Sequence, residues 1–320
     1  CLLFLNLYKA KTEMSSIRAI DLFKTFKVGL NKKVNALNGV SFVIPQGEVT
    51  GYLGPNGSGK TTTFKIITGL NKPTSGQVFF FDIPGHLPRS RSLLGYLPEG
   101  PYFYEHLTAE ESLFFYASLF GLKPSAIKKK AHELLDRFGI LHAKDRKLQT
   151  YSKGMRQRLG FAQCLINDPQ VIILDEPMSG LDPIGRKEFR DTILELKGKG
   201  KTILMSSHVL NDVETICNRI ILLSNGAIKE EGQIAEKKTK TLKGTEIIFN
   251  AKDDSYIKCL PPDQYEISSH DGHLAINLFP QVDINPVLQQ LIAHGHQILK
   301  VIPHNESLEK YFIRIAGGVK

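Results

Sequence analysis

The stretch EVTGYLGPNGSGKT, residues 48–61, decides the fold of this 320-residue chain. Its first half, Glu48 to Leu53, is a short apolar run of the kind that forms a buried strand in a parallel sheet. Its second half, Gly54 to Thr61, has the spacing GxxxxGKT, in which glycines let the backbone curl until successive N–H groups face one anion. A helix is expected to begin near Lys60 and to direct its positive N-terminus at the same anion. The sequence therefore predicts a phosphate-binding loop between a strand and a helix.

The side chains of this loop suit a nucleotide that carries Mg²⁺. Lys60 adds a mobile positive charge for the phosphates, and the hydroxyl of Thr61 suits the metal ion. We expect the nucleotide to contact the loop along its whole length, at Gly54, Pro55, Asn56, Gly57, Ser58, Gly59, Lys60, Thr61 and Thr62.

A second apolar run, Val171 to Leu174, leads directly into Asp175 and Glu176. Parallel strands present their carboxyl ends at the ligand-binding edge of an α/β sheet, so this strand would deliver both acids to the phosphates. Asp175 would then hold Mg²⁺ through water, and Glu176 would orient or deprotonate the attacking water. The alternative is an ordinary strand followed by a capped helix.

Strand and helix signals divide the chain into two predicted domains. Over residues 16–235 short β-rich runs alternate with helical stretches, which predicts an α/β domain on a mainly parallel sheet. Within it, residues from about 100 to 165 carry helical signals and predict an all-helical insert. A linker rich in lysine and threonine, 236–243, precedes a small α+β domain predicted over 244–320. Its last helix is expected to begin near Ser307.

The composition bounds the class of protein. Hydrophobic residues make up 42% and charged residues 23%, which excludes a fibrous or unfolded chain. The net charge of +9 would suit nucleic acid or an anionic membrane, but the basic residues are scattered. No apolar run approaches the roughly 18 to 20 residues that cross a bilayer. Met14 is a plausible true start, so residues 1–15 are expected to form an extension without a fold.

Neither the cysteines nor two closely spaced histidines are expected to bind a metal ion. The cysteines show no metal-binding spacing and are expected to be free thiols in a reducing compartment: Cys1, Cys164, Cys217 and Cys259. His294 and His296 lack an accompanying Cys or acidic cluster and are expected to lie in a solvated turn.

The stretch YSKGMRQR, Tyr151 to Arg158, offers another anion site. Ser152 can cap a helix that runs to about Ile166, and its hydroxyl and the backbone donors at the positive helix end would suit a second phosphate. The alternative is an ordinary capped helix with a basic, exposed face.

Taken in order, the phosphate loop, YSKGMRQRL, VIILDEP, SGLD and SSH resemble the nucleotide-binding domain of ABC transporters over about residues 16–232. The resemblance implies a P-loop NTPase fold of the ABC ATPase type, with a RecA-like core, an antiparallel β subdomain and a helical insert. It also implies that ATP and Mg²⁺ are bound and that ATP is hydrolysed to power transport. The Lys-Gly-Met form of the signature motif is similar to that of exporters whose transmembrane permease is a separate chain, which would hold this one at the cytoplasmic face of the cell membrane.

The resemblance also implies a second copy of the chain. Family members work as head-to-tail dimers, in which Ser152 and Gly154 of the signature would contact ATP on the partner's phosphate loop. Asp182 resembles the loop that couples the two sites, and His208 occupies the switch position near the γ-phosphate. Phe26 aligns with the aromatic residue that stacks on adenine.

One position departs from the family's commonest pattern. Most relatives have Gln where this chain has Glu99, which adds a negative charge beside the expected metal ion. The predicted catalytic residues are Glu176, His208 and Lys60, and the predicted metal contacts are Thr61, Asp175 and Glu99.

Two other functions compete with transport. A soluble ABC-type ATPase acting on ribosomes or DNA would suit the positive charge, but the chain has one cassette, no long heptad repeat and no basic tail, so no specific nucleic acid is expected. A module that holds ATP without turnover is disfavoured by the set of Lys60, Asp175, Glu176 and His208.

Overall fold

A computed structural model describes residues 15–28, 32–236, 242–260, 264–270, 273–305 and 315. The chain divides into two units between Gly232 and Gln233. The first strand begins at Ser15, the last residue of the predicted N-terminal extension. The rest of that extension, most of the predicted linker and the helix expected near Ser307 lie outside the described residues.

A six-stranded sheet carries the predicted site. Its strands are β3 (Val49–Leu53), β6 (Leu94–Leu97), β7 (Val171–Leu174), β8 (Thr202–Ser206), β9 (Arg219–Ser224) and β10 (Ala227–Gln233). Their order is β10-β9-β3-β8-β7-β6, and the five from β9 to β6 run parallel. Every residue of β3, β7 and β8 is buried, as expected for strands covered on both faces. The predicted mainly parallel sheet is thereby confirmed.

A second, antiparallel sheet packs against the first. Its strands are β1 (Ser15–Val28), β2 (Lys32–Pro45), β4 (Ser75–Phe80) and β5 (Ile83–Pro84), in the order β2-β1-β4-β5. One apolar core joins residues from both sheets and from the helix that follows the phosphate loop. Its centre is the fully buried ring of Tyr52, 5.7 Å from that of Phe42 and 5.5 Å from that of Phe64 between centroids. The Tyr52 hydroxyl donates to Oγ1 of Thr63 at 3.2 Å, which ties the helix to β3.

Seven helices are described in the first unit: α1 (Lys60–Ile67), α2 (Pro88–Arg91), α3 (Ala109–Leu119), α4 (Pro124–Arg137), α5 (Lys153–Cys164), α6 (Pro183–Gly198) and α7 (Leu210–Ile216). Helices α3 to α5 lie in the segment predicted to be all-helical. The start of α3 is fixed by a capping box, in which Thr108 and Glu111 each satisfy the other's backbone N–H.

Three phenylalanines join the helical insert to the rest of the first unit. Phe161 of α5 lies 5.0 Å from Phe138, which follows α4, and 4.9 Å from Phe189 of α6, measured between ring centroids. All three side chains are almost completely buried. This cluster fixes the direction of α5, whose first turn contains the predicted signature residues.

Where the structure describes it, the second unit contains a small antiparallel sheet and a helix that packs on it. Its strands are β11 (Leu242–Asn250), β12 (Tyr265–His270), β13 (His273–Leu278) and β14 (Gln297–Asn305), in the order β12-β13-β11-β14, and its helix is α8 (Ile284–Ala293). Residues of α8 and of the strands form a separate apolar core that includes Ile247, Phe249, Ile276 and Leu291.

The expectation of a solvated turn is wrong for His296. Its side chain is buried, Nδ1 accepts from the backbone N–H of Lys252 at 3.1 Å, and Nε2 lies 3.1 Å from Oγ of Ser255. The ring also meets Phe249 and Tyr256 edge-on. Two hydrogen bonds satisfy both ring nitrogens, so the imidazole can serve as a core side chain. Among the described residues, no group of three or more His, Cys, Asp or Glu side chains is arranged so that these side chains by themselves could hold a metal ion.

Two of the four cysteines lie among the residues whose side chains the structure describes. Cys164 and Cys217 are free and buried, and burial raises the pKa of both thiols. Cys1 and the side chain of Cys259 lie outside the described part. Within the described ranges no helix is both long and apolar enough to span a bilayer.

The phenylalanine cluster gives a stability prediction. Replacing Phe161 by Ala removes two ring contacts at a site with 0% exposure and should lower the free energy of unfolding by about 3–5 kcal/mol. Phe120→Ala, at a residue that is 43% exposed at the end of α3, is the control and should change it by about 0.5 kcal/mol at most. Urea-induced unfolding measures both, and equal effects would contradict the role given to the cluster.

Candidate functional site

The carboxyl ends of the parallel strands open on a cavity of about 620 Å³. It is lined by the loop before α1, by the first turn of α1, by the residues that follow β6, β7 and β8, and by one residue of β2. The lining residues are Ala36, Asn56, Gly57, Gly59, Lys60, Thr61, Thr62, Glu99, Asp175, Glu176 and His208. The ends of four parallel strands, β3, β6, β7 and β8, thus bring together residues from Asn56 to His208, as the rule for ligand sites in α/β sheets predicts.

At two positions the phosphate loop lies so close to the backbone of neighbouring strands that only glycine, which has no Cβ atom, fits there. Gly54 has φ 154°, and a Cβ there would lie 2.2 Å from the carbonyl oxygen of Leu223. Gly59 has φ 110°, and a Cβ there would lie 2.6 Å from the carbonyl oxygen of Ala36. The loop is therefore held against β9 and β2, and α1 begins directly behind it.

Lys60 lies across the loop rather than pointing into solvent. Its Nζ atom donates to the carbonyl oxygens of Gly54 at 2.7 Å and Pro55 at 3.2 Å, and the residue is only 9% exposed. Ser58 is also buried, and its Oγ has no hydrogen-bond partner within the described chain. The loop thus holds an ammonium group and backbone donors near one another, which is the requirement for binding a chain of phosphates.

Asp175 directly follows β7, and its buried carboxylate has two oxygens in different surroundings. Its Oδ1 accepts from Oγ of Ser206 at 2.7 Å, whereas Oδ2 is buried and has no hydrogen-bond partner among the described residues. Burial raises the pKa of Asp175; the hydrogen bond from Ser206 and the nearby Thr61 hydroxyl oppose this, and the charge of Glu99 raises the pKa further. A bound cation would therefore relieve an electrostatic cost at this carboxylate.

The oxygens around Asp175 fit a divalent metal ion of the Mg²⁺ type. The unpartnered Oδ2, the Thr61 hydroxyl and the Glu99 carboxylate belong to residues that line the same cavity. Mg²⁺ prefers such oxygens and is commonly held by one or two carboxylates together with substrate phosphates.

Glu176 follows Asp175 in an uncommon backbone conformation. Its φ is 49°, in the left-handed region, which costs a residue with a side chain roughly 1–3 kcal/mol. Its N–H donates to Oγ of Ser206 at 2.8 Å. Its Oε2 lies 2.7 Å from Nδ1 of His208, and because a carboxylate only accepts, the imidazole is the donor. The side chain of Glu176 is 14% exposed and that of His208 65% exposed.

The predicted signature and coupling residues do not line this cavity. Ser152 caps α5 by accepting from the N–H of Met155 at 3.2 Å, and Gly154 lies in the same first turn. Asp182 caps α6 by accepting from the N–H of Gly185 at 3.0 Å. Within one copy of the chain, these residues occupy positions separate from the phosphate loop.

Phe26, the predicted adenine contact, is also absent from the cavity lining. It lies on β1 with 36% of its surface exposed, and Nζ of Lys24 is 4.9 Å from its ring centroid. A partly exposed aromatic ring can stack on a base, and the assignment stays a prediction.

Sequence reasoning missed Ser206, which hydrogen-bonds both Asp175 and Glu176. Its signal was present, since a serine ends the apolar strand β8 two residues before His208. It also missed Ala36, which lines the cavity, and Gln157, whose buried Nε2 donates to the carbonyl oxygen of Pro177 at 2.9 Å. That bond ties α5 to the residue after Glu176.

Comparisons with known proteins agree with this geometry. The family model described as ABC transporter matches residues 37–179. An uncharacterized ABC transporter ATP-binding protein of a Nostoc species is 39% identical over 95% of this chain and 90% of its own length. The bacitracin transport ATP-binding protein BcrA of Bacillus licheniformis is 34% identical over 94% of this chain and 97% of its own length.

Solved structures share the fold. A structure described as the ATP-binding subunit of an ABC transporter has a TM-score of 0.64 and 31% identity, covering 71% of this chain and 93% of its own. A dimeric, post-hydrolysis state of the ATP-binding cassette MJ0796, bound to ADP and Pi, has a TM-score of 0.64 and 28% identity, covering 68% of this chain and 98% of its own.

The loop geometry predicts unequal effects of two glycine substitutions. Gly54→Ala would place a methyl group against the backbone of β9 and should weaken the binding of a fluorescent ATP analogue at least about tenfold, since roughly 1.4 kcal/mol of distortion is enough for that. Gly57→Ala is the control, because it keeps the cost of a positive φ of 78° but meets no atom within 4 Å. Equal losses in the two variants would show that steric approach to β9 is unimportant.

Proposed function

The chain belongs to the ATP-binding subunits of ABC transporters, and on this basis we propose that two copies of it close on Mg²⁺ and ATP to drive export through a separate permease. Membership of this family means that the chain binds ATP and hydrolyses it. The observation that carries the proposal is the cavity in which Lys60, Asp175, Glu176 and His208 meet.

The roles that we propose within the cavity follow from charge and contact. Lys60 already lies against the phosphate loop, so its ammonium group can exchange two carbonyl partners for phosphate oxygens. Glu176 would orient the attacking water and accept its proton, because a carboxylate with little exposure is poorly solvated and is held in one position. His208 would turn from Glu176 towards the terminal phosphate, since its ring is largely exposed and free on one side.

Thr61, Asp175 and Glu99 are the residues that would hold Mg²⁺. When bound, the metal ion would neutralise charge on the phosphate oxygens during transfer. Glu99 distinguishes this chain from most of the family, and its charge already acts on Asp175. The second carboxylate would make the site bind the cation more tightly than a site with Gln at this position.

The residues outside the cavity support a dimer. Ser152 and Gly154 lie at the N-terminus of α5, where backbone donors and the helix dipole favour an anion. Ser152 and Gly154 are predicted to contact a phosphate of ATP, yet they do not line the cavity of their own chain. A second copy placed head to tail would supply them, and Asp182 would lie near the contact. The MJ0796 cassette, which is similar over 98% of its length, is dimeric with ADP and Pi bound.

Export is proposed from the relatives and from the signature motif. BcrA is named for bacitracin transport, and this chain matches nearly its whole length. A permease in a separate chain would hold the subunit at the cytoplasmic face of the cell membrane. No relative among those compared favours ribosomes or DNA as the target.

The helical insert offers the permease an apolar surface. A groove of about 730 Å³ between α3 and α4, here called the insert groove, is lined by Glu110, Phe114, Pro124, Ser125, Ile127, Lys128, Lys129 and Ala131. Nearby on α3, Leu119 is 69% exposed and Phe115 40% exposed. Apolar side chains gathered at an exposed surface are typical of an interaction site, and we propose that a cytoplasmic segment of the permease binds there.

Replacing Glu176 by Gln tests the catalytic proposal. The amide keeps the shape but cannot accept a proton, so ATP hydrolysis should fall by about 10² to 10⁴-fold while ATP still binds. The variant should then accumulate as an ATP-bound dimer, detected by size-exclusion chromatography with light scattering. Glu195→Gln, an exposed glutamate on α6, is the control and should hydrolyse ATP at the parent rate. A Glu176→Gln protein that stays monomeric with ATP and keeps the parent rate would refute the assignment.

Replacing Phe114 by Glu tests the permease surface. Phe114 is 41% exposed and lines the insert groove, so a charge there should abolish recovery of the subunit with membranes that contain its permease, with ATPase activity retained. Leu70→Glu is the control, since Leu70 is 64% exposed and does not line the groove; it should still be recovered. Unchanged recovery of Phe114→Glu would place the permease contact elsewhere.

A further inference from the structure

We propose that Ser206 is a positioning residue that sets, through one hydroxyl group, both the orientation of Asp175 towards the metal ion and the position of Glu176. The inference rests on the proposed roles of Asp175 and Glu176. Ser206 is the last residue of β8 and is completely buried. It lies 31 residues from Asp175 and 30 residues from Glu176 in the sequence, so only the parallel pairing of β7 with β8 brings them together.

The hydrogen bonds around Ser206 can run in only one direction. The backbone N–H of Glu176 can only donate, so Oγ of Ser206 is the acceptor in that 2.8 Å contact. The single hydroxyl proton is then free to donate to Oδ1 of Asp175 at 2.7 Å. The two hydrogen bonds therefore run from the Glu176 amide to the Ser206 hydroxyl and from that hydroxyl to the Asp175 carboxylate, in which Oδ1 is the acceptor.

This direction decides which oxygen of Asp175 faces a ligand. With Oδ1 occupied by Ser206, the carboxylate leaves Oδ2, which is buried and without a hydrogen-bond partner in the described chain, for the cavity. Without the hydroxyl, either oxygen could turn towards the cavity, and the carboxylate would lose its fixed rotamer. Metal sites depend on such outer contacts to orient their ligands.

The same hydroxyl stabilises the backbone of Glu176. A residue with a side chain rarely adopts φ near 49°, and it does so only where its surroundings compensate. The bond from the Glu176 N–H to Ser206 is such a compensation. It holds the peptide in the conformation from which Oε2 reaches His208 at 2.7 Å. Ser206 thus links the metal ligand, the proposed base and, through that base, the switch histidine.

Ser207 provides a matched control because it is the adjacent residue and is also buried. Its hydroxyl contacts the backbone of Val209, accepting from N–H at 3.0 Å and lying 3.3 Å from the carbonyl oxygen. Loss of this hydroxyl removes the same atom from the same segment without touching the bonds to Asp175 and Glu176.

The test compares the Ser206→Ala, Ser206→Cys, Ser207→Ala and Asp175→Asn variants of the full chain. One readout is the affinity for Mn²⁺ in the presence of a non-hydrolysable ATP analogue, measured by electron paramagnetic resonance. The other is the separate measurement of kcat and KM for ATP at saturating Mg²⁺.

For Ser206→Ala we expect Mn²⁺ affinity and kcat each to fall about 10- to 100-fold, as for other outer contacts of metal sites, with little change in KM. Ser206→Cys, which fills the same space with a weaker hydrogen-bonding group, should show a smaller loss, and Ser207→Ala should match the parent in Mn²⁺ affinity.

The variants distinguish a failure of the Ser206 proposal from a failure of the proposed metal site. If Ser206→Ala and Ser206→Cys bind Mn²⁺ as the parent does while Asp175→Asn does not, the role of Ser206 is refuted and the proposed metal site stands. If Asp175→Asn also binds Mn²⁺ as the parent does, the proposed metal site itself is wrong. An equal loss in Ser206→Ala and Ser207→Ala would show a general effect of altering this segment and would also refute the inference.

Discussion

The burial of one carboxylate, that of Asp175, is the constraint on which the rest of the site depends. Removing a charge from water is expensive unless hydrogen bonds or an opposite charge compensate for it. The protein supplies one hydrogen bond to Oδ1 from Ser206 and leaves Oδ2 without one in the described chain. Burial raises the pKa of this group as a result. The site is built so that a cation delivered with the substrate removes a cost already present in the folded chain.

That carboxylate follows β7, a strand whose residues are all buried. Strands β3, β7 and β8 end at one edge, and the core around Tyr52 fixes α1 and the phosphate loop against that edge. The phenylalanine cluster then fixes the direction of α5, and the bond from Gln157 to the backbone of Pro177 joins α5 to the segment after β7 that carries the acids. A change at either end of this chain of contacts can reach the other through packed groups.

Much of the fold could be read from local pattern, since the signals were strong and of short range. The run Val171 to Leu174 is a strand with the predicted bounds, and the helix behind the phosphate loop begins at Lys60, as its spacing indicates. The prediction that His296 is solvated was wrong, because its partners Lys252 and Ser255 lie more than 40 residues away in the sequence. No pattern in the neighbouring residues indicates these contacts.

By itself, the sequence determined that phosphate is bound and which acids lie nearby, because the glycine spacing and the run into Asp175 and Glu176 are chemical requirements that depend on adjacent residues. Only the tertiary structure decided that Ser206 joins these acids and that His208 contacts Glu176. Those contacts depend on the register between neighbouring parallel strands. The packing of the entire sheet sets this register, so it cannot be predicted from any single segment of the sequence.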